Sequence, residues 1–157
     1  MGSDENSVSG PEASEDAEIL NDVISVCRDG EQLYRHVADR VSDQQSRNIF
    51  LDMARVRCQI VKELQSEVAL RGAEPRSSET VVGKISRWYV EARSHFVDYK
   101  ERAFIDELEE TEERSLKILR TAVRKVEDKT LVYRLSSLVA TFQMAHDRMR
   151  LLKASYK

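Results

Sequence analysis

Hydrophobic residues recur every three or four positions through most of the chain, which is the period of an amphipathic helix. The first stripe predicts a helix from about Asp16 to Val41 and contains Leu20, Ile24, Cys27, Glu31, Tyr34, Ala38 and Val41. A second helix follows "SDQQ", in which Ser42 is the expected N-cap, and it carries Ile49, Met53, Val56, Ile60, Leu64 and Val68. Gly72 and Pro75 are expected to end it. Because the loop between the two helices is short, we expect them to be antiparallel neighbours.

Three further stripes follow. Residues 78–98 carry Val82, Ile85, Trp88, Tyr89 and Phe96, and a helix of this size is about 30 Å long. We interpret it as a crossover along the whole bundle. A third long helix carries Ile105, Leu108, Ser115, Leu119, Ala122 and Val126, and a fourth carries Val132, Leu135, Val139, Phe142, Met149 and Leu152. Four long helices with one long crossover between the second and third predict an all-α, ferritin-like four-helix bundle.

Composition narrows the class of protein further. Residues 1–15 are small and acidic, so we expect a disordered tail before a bundle over residues 16–157. The 25 Lys and Arg nearly balance the 28 Asp and Glu, and the absence of a basic patch argues against a nucleic-acid partner. No apolar run reaches membrane-spanning length and no secretory signal is visible, so a cytoplasmic protein without a membrane partner is expected. Cys27 and Cys58 are expected to be reduced.

Three of the long helices carry an ionisable residue on an otherwise apolar stripe. These residues are Glu31 on the first helix, Glu112 on the third and His146 on the fourth. If the crossover sets the helix directions, all three lie about 15–20 Å from the same end of the bundle. We therefore expect them to meet in one layer.

Ferritin-like proteins hold two metal ions with one Glu from each of two helices and a Glu-x-x-His motif from each of the other two. Here Gln143 stands where the glutamate of the fourth-helix motif belongs, and the second helix has Arg57 but no histidine. One interpretation is a buried polar layer of Arg57, Glu31, Glu112, His146 and Tyr34, in which Arg57 pairs with Glu31 or Glu112 and His146 hydrogen-bonds to the rest. The other is a reduced iron or manganese site built from Glu31, Glu112, His146, Gln143 and Glu109.

Several short motifs resemble one protein family. "LNDVISVCRDGEQLYRHVA" has the Leu-Asn followed by Asp-Gly-x-x-x-Tyr that opens the family, at Asn21, Asp29, Gly30 and Tyr34. "RCQIVKEL", "LRGAEP", "EETEERSLK" (at Glu109 and Glu112) and "AHDRMRLL" are similar to its later motifs. Over residues 18–153 the chain thus resembles a bacterial ferritin-like four-helix-bundle family of unknown function (domain of unknown function 2383). The resemblance implies such a bundle without the full di-iron ligand set.

The leading hypothesis is a non-catalytic, stress-associated bundle that acts through assembly, as a homodimer or with another protein partner. In it, a buried polar layer replaces a degenerate di-metal site. The alternative is a metal-binding protein or oxidoreductase that uses the reduced carboxylate and histidine site.

Overall fold

The computed structural model describes residues 11–75 and 100–156, which form four α-helices and no β-strand. The helices are α1 (Pro11–Ala38), α2 (Gln44–Leu70), α3 (Lys100–Lys125) and α4 (Lys129–Ser155). α1 packs along both α2 and α3, and α3 packs along α4. The prediction of an all-α protein with four long helices is confirmed for the described ranges. The predicted crossover helix at residues 78–98 lies outside them, as do residues 1–10 of the predicted tail.

Contacts at the two ends of the bundle fix the directions of the helices. Near the start of α2 and α3, the backbone N and the Oγ of Ser42 both donate to Glu101 Oε1 at 2.7 Å. Near their opposite ends, Arg71 Nη2 donates to Asp128 Oδ2 at 2.8 Å. α2 and α3 therefore run in the same direction, antiparallel to α1 and α4, and the described chain leaves α2 at the end of the bundle opposite to where it enters α3.

α1 begins earlier than the sequence suggested, at Pro11 rather than near Asp16. Proline fits the first helical turn, where its missing N–H would have had no partner in the helix. Asp16 is buried, and its carboxylate accepts hydrogen bonds from the backbone N of Glu127 at 2.9 Å and of Asp128 at 3.1 Å. Residues 11–15 of the predicted tail are therefore helical, and the turn between α3 and α4 is bonded to the first helix.

The N-cap of α2 is Asp43 and not Ser42. The Asp43 carboxylate accepts from the backbone N of Ser46 at 2.9 Å and from its Oγ at 2.8 Å. Ser42 instead connects the loop before α2 to α3, through its hydrogen bonds to Glu101.

The predicted end of α2 at Gly72 is confirmed. Gly72 has φ of 74°, a conformation that glycine adopts without the steric cost of a Cβ atom. Its N–H donates to Ala69 O, and the N–H of Ala73 donates to Val68 O, which together form a Schellman motif.

Two hydrophobic clusters fill the bundle. The first lies toward the Arg71 end and includes Leu20, Ile24, Leu64, Leu119 and Leu135, and the second lies toward the Ser42 end and includes Val37, Phe50, Phe104, Ile105 and Met149. The buried stripe of α2 is rotated from the predicted one, because Ala54, Arg57 and Val61 face inward while Val56 is 45% exposed. Among the described helices, none is long and apolar enough to span a bilayer.

Candidate functional site: a buried ion pair between the two clusters

Arg57 occupies the middle of the bundle, on the inward face of α2. Its side chain is 2% exposed, and its Nη2 donates to Oε2 of Glu112 on α3, which is fully buried. An isolated charge in a protein interior would cost several kcal/mol, so the two opposite charges stabilise each other at a position that neither could occupy alone.

The second carboxylate oxygen of Glu112 also has a partner. Tyr34 on α1 is fully buried, and its Oη donates to Glu112 Oε1 at 2.5 Å. Burial raises the pKa of Tyr34, and the negative charge of Glu112 raises it further, so the phenol stays protonated and remains a donor. Both oxygens of the carboxylate are therefore occupied by protein donors.

The Arg57 guanidinium lies between the backbone of α1 at Gly30 and the ring of Phe142 on α4. A Cβ atom placed on Gly30 would lie only 3.3 Å from Arg57 Cζ and Nη1, so the guanidinium lies directly against the backbone of α1. Arg57 Cζ also lies 3.6 Å from the centroid of the Phe142 ring on α4, within cation–π distance. We call Cys27, Gly30, Tyr34, Arg57, Glu112 and Phe142 the Arg57 cluster, and all four described helices contribute to it.

The electrostatics of the Arg57 cluster favour the charged pair and a neutral thiol. Burial alone would lower the pKa of Arg57, but the attraction of Glu112 outweighs it and raises the pKa above the ordinary value. Burial raises the pKa of Cys27 to about 11, although the neighbouring Arg57 opposes the shift. Both cysteines are free, with Cys27 buried and Cys58 half-buried.

Glu31, one of the two expected partners of Arg57, lies at the edge of the bundle. It forms an ion pair with Arg35 one turn along α1 at 3.3 Å, and its side chain is 17% exposed. The physical reason is the helical rotation of about 100° per residue, which turns position 30 rather than position 31 toward α2. Gly30 leaves room there for Arg57, and of the two expected partners of Arg57 the structure has Glu112 and not Glu31.

The other candidate metal ligands are spread over separate contacts. His146 is half-buried, with Nδ1 3.6 Å from Asp147 Oδ1, because Ala145 takes the inward position. Gln143 accepts from Arg120 at 2.9 Å and donates to Asp147 at 3.0 Å.

Glu109 lies 3.1 Å from Lys153 Nζ, in an ion pair that also involves Asp106. Of the residues predicted for the layer, the structure brings together Tyr34, Arg57 and Glu112 but not Glu31 or His146. Within residues 11–75 and 100–156, no three His, Cys, Asp or Glu side chains form a group that could hold a metal ion.

Sequence reasoning missed Gly30 and Phe142 as parts of the site. Gly30 carried a usable signal, since an isolated glycine inside a helix lowers helix stability and often marks a close approach of another group. Phe142 carried none, because an aromatic residue on a helical stripe usually packs in an apolar core.

Fold and site together define an all-α helical-bundle protein with a buried Arg–Glu–Tyr network between two hydrophobic clusters. Over residues 15–125 the sequence matches the family described as Domain of unknown function (DUF2383), and the chain belongs to that family. The match covers most of α1 and all of α2 and α3, and it ends before α4, where the "AHDRMRLL" motif lies. Searches among curated proteins and among solved structures give no match.

Proposed function

We propose that this protein is a non-catalytic bundle of the ferritin-like type, in which the Arg57 cluster takes the place of a di-metal centre. The observation that carries the proposal is the bond from Arg57 to Glu112, with both side chains buried. Glu112 is the candidate metal ligand that lies deepest in the bundle, and a guanidinium already neutralises it. The direction of α2 and α3 is also the one that ferritin-like connectivity requires.

The charge of Arg57 explains why a cation would be disfavoured at Glu112. A guanidinium is protonated at every physiological pH and cannot release its charge to make way for a metal ion. A metal would have to displace Nη2 and leave the cation unpaired beside the Phe142 ring, at a cost of several kcal/mol. Within the described residues, the Arg57 cluster therefore supports structure rather than chemistry, and we infer that the protein acts through assembly or partner binding.

Turnover assays test this proposal. We expect the purified full chain to oxidise ferrous iron and to consume peroxide no faster than buffer does. The matched variants are Glu112→Gln, which removes the buried carboxylate, and Glu31→Ala, which removes a carboxylate at the edge of the bundle.

Neither variant should change the background rate. Measurable turnover in the unmodified protein that is lost in Glu112→Gln or in Glu31→Ala would contradict the proposal and favour an oxidoreductase. Circular dichroism of each variant separates a loss of activity from a loss of fold.

A further inference from the structure

α4 carries two stripes on opposite sides. The inner stripe packs into the bundle and consists of Leu131, Leu135, Leu138, Phe142, Ala145 and Met149. The outer stripe is exposed and consists of Tyr133, Ser137, Ala140, Met144, Asp147 and Leu151. Both repeat with alternating steps of four and three residues, which is the 3.5-residue period of helices that pack as a coiled coil.

The outer stripe is unusually apolar for a surface. Tyr133 is 83% exposed, Met144 is 73% exposed and Leu151 is 74% exposed. Single exposed hydrophobic residues are common, but three large ones that recur on one stripe of one helix mark a candidate interaction surface. The outer stripe runs for about 27 Å along α4.

We propose that the outer stripe is the contact through which two copies of this chain form an antiparallel homodimer. This dimer is the form that the assembly role proposed above would take, and the inference rests on the proposed function only for that role. The reason for choosing a second copy is that the outer stripe is complementary to itself when reversed. With the twofold axis beside residue 142, Tyr133 faces Leu151 of the other copy, Ser137 faces Asp147, and Ala140 faces Met144.

Each of these three pairs is physically favourable. Tyr133 and Leu151 bury two large apolar side chains against each other at both ends of the contact. Ala140 leaves room for the longer Met144, so the two backbones can approach at the centre. Between them, the Ser137 hydroxyl can donate to the Asp147 carboxylate, which the monomer leaves 59% exposed.

A parallel pairing of the same stripe would be worse. Asp147 would face Asp147 of the other copy, and two like charges on a shared seam repel each other. Ala140 would face Ala140 and leave a gap at the centre of the contact.

The charged neighbours of the outer stripe are compatible with the antiparallel arrangement. Arg148 of one copy lies near Arg134 of the other, but Arg134 is already paired with Glu67 at 2.7 Å. Contact along a single pair of helices is small for a stable dimer, so we expect micromolar affinity.

Sedimentation equilibrium of the full chain tests the dimer. We expect a reversible monomer–dimer equilibrium, and we expect Met144→Glu or Leu151→Glu to weaken it by about 100-fold, because each change removes two apolar contacts and places a charge in the seam. The control is Leu70→Glu, which alters an equally exposed leucine (75%) at the end of α2, and it should leave the equilibrium unchanged. The Glu variants replace exposed residues, so the monomer should keep its helix content and thermal midpoint.

Disulfide trapping tests the orientation, with Cys58→Ser as the background. Ala140→Cys mixed with Met144→Cys should cross-link into a heterodimer. Neither variant should cross-link alone, because identical positions are then farther apart than the roughly 7 Å that a disulfide can bridge.

The dimer proposal is overturned by a protein that stays monomeric at high concentration, or by dimerisation that survives Met144→Glu and Leu151→Glu. Cross-linking of each single variant alone would overturn the antiparallel pairing. Since these experiments measure association and the turnover assays measure chemistry, the two proposals can fail separately.

Discussion

The bond between Arg57 and Glu112 places two opposite charges in the interior of the bundle, between its two hydrophobic clusters. Burying an ion pair often gives little net stability compared with a well-packed hydrophobic pair, whereas removing one partner is strongly destabilising because the other charge stays buried. Tyr34 and the Phe142 ring complete the surroundings of the pair. The contribution of each charge therefore depends on the presence of the other.

This dependence predicts strong coupling between substitutions of the two residues. Arg57→Met and Glu112→Gln should each lower the free energy of unfolding by about 3–5 kcal/mol. The double variant removes both charges and leaves an amide oxygen at position 112 that can still accept from Tyr34, so it should cost much less than the sum of the two. Urea unfolding followed by circular dichroism measures all three values. If the losses of the two single variants add up in the double variant, the two charges do not stabilise each other.

Gly30→Ala should destabilise the protein, although alanine is the better helix former by about 1 kcal/mol. Its Cβ would lie 3.3 Å from Arg57, whose guanidinium is held by Glu112 and Phe142 and cannot easily shift. The same substitution made in the Arg57→Met background should be neutral or stabilising, because the crowded atoms are gone. Thermal unfolding of the two pairs provides the measurement, and a stabilising Gly30→Ala in the unmodified protein would contradict the close approach.

At the residue scale, the sequence identified Glu112 and Arg57 as inward-facing but could not choose between Glu31 and Glu112 as the partner of Arg57. Glu31 and Gly30 are adjacent, and a one-residue uncertainty in the rotation of a helix decides which of them faces α2. The stripe of apolar residues in α1 fits either choice. Only the contact with Arg57 resolves it, and a contact between helices distant in sequence cannot be deduced from the periodicity of either one.

At the scale of the helices, Asp128 joins two elements. Its Oδ1 accepts from the backbone N of Thr130 at 2.8 Å as the N-cap of α4, and its Oδ2 accepts from Arg71 at the end of α2. Burial would raise the pKa of Asp128, but the hydrogen bonds from Thr130 and Arg71 outweigh this effect and lower it. The charged form therefore stabilises the folded state.

Substitution of Asp128 should separate its two roles. Asp128→Ala removes both the N-cap and the ion pair and should lower the free energy of unfolding by about 1–2 kcal/mol. Asp128→Asn keeps a good N-cap and loses only the negative charge that pairs with Arg71, so its effect should be smaller. Because folding lowers this pKa, the charge contribution is complete above the ordinary value of 3.8 and is lost as pH falls below it through the folded value.

The stability difference between the unmodified protein and Asp128→Asn should therefore shrink in that acidic range. Urea unfolding at a series of pH values tests this expectation. A difference that stays constant down to pH 2 would show that the carboxylate charge does not contribute.

Helix ends were harder to predict than helices. Ser42 and Asp43 are both good N-cap residues, and the local sequence does not distinguish them. Asp43 caps α2, while Ser42 is bonded to Glu101 on α3. The first residues of α1 resemble an acidic tail, so the predicted start near Asp16 is later than the observed start at Pro11. The burial of Asp16 against the turn before α4 has no signature in the local sequence.

For the whole molecule, the Arg57 cluster lies at the boundary between the two hydrophobic clusters, with Cys27 and Phe142 in one and Tyr34 in the other. A single buried polar contact can fix helix register, because any shift leaves charged groups unpaired. The four long helices of residues 11–75 and 100–156 and the family were predictable from periodicity and motifs, since both are local properties of the sequence. The arrangement of the polar layer was only partly predictable, because it depends on how four helices rotate toward each other.

We propose that the guanidinium of Arg57, and not a metal ion, neutralises the buried carboxylate of Glu112. The most direct test is elemental analysis of the full chain, purified without chelator and incubated with iron, manganese or zinc at neutral pH. We predict strongly substoichiometric metal, with no difference between the unmodified protein and His146→Ala. A stoichiometric ion in the unmodified protein that is lost in His146→Ala or Glu112→Gln would contradict the claim.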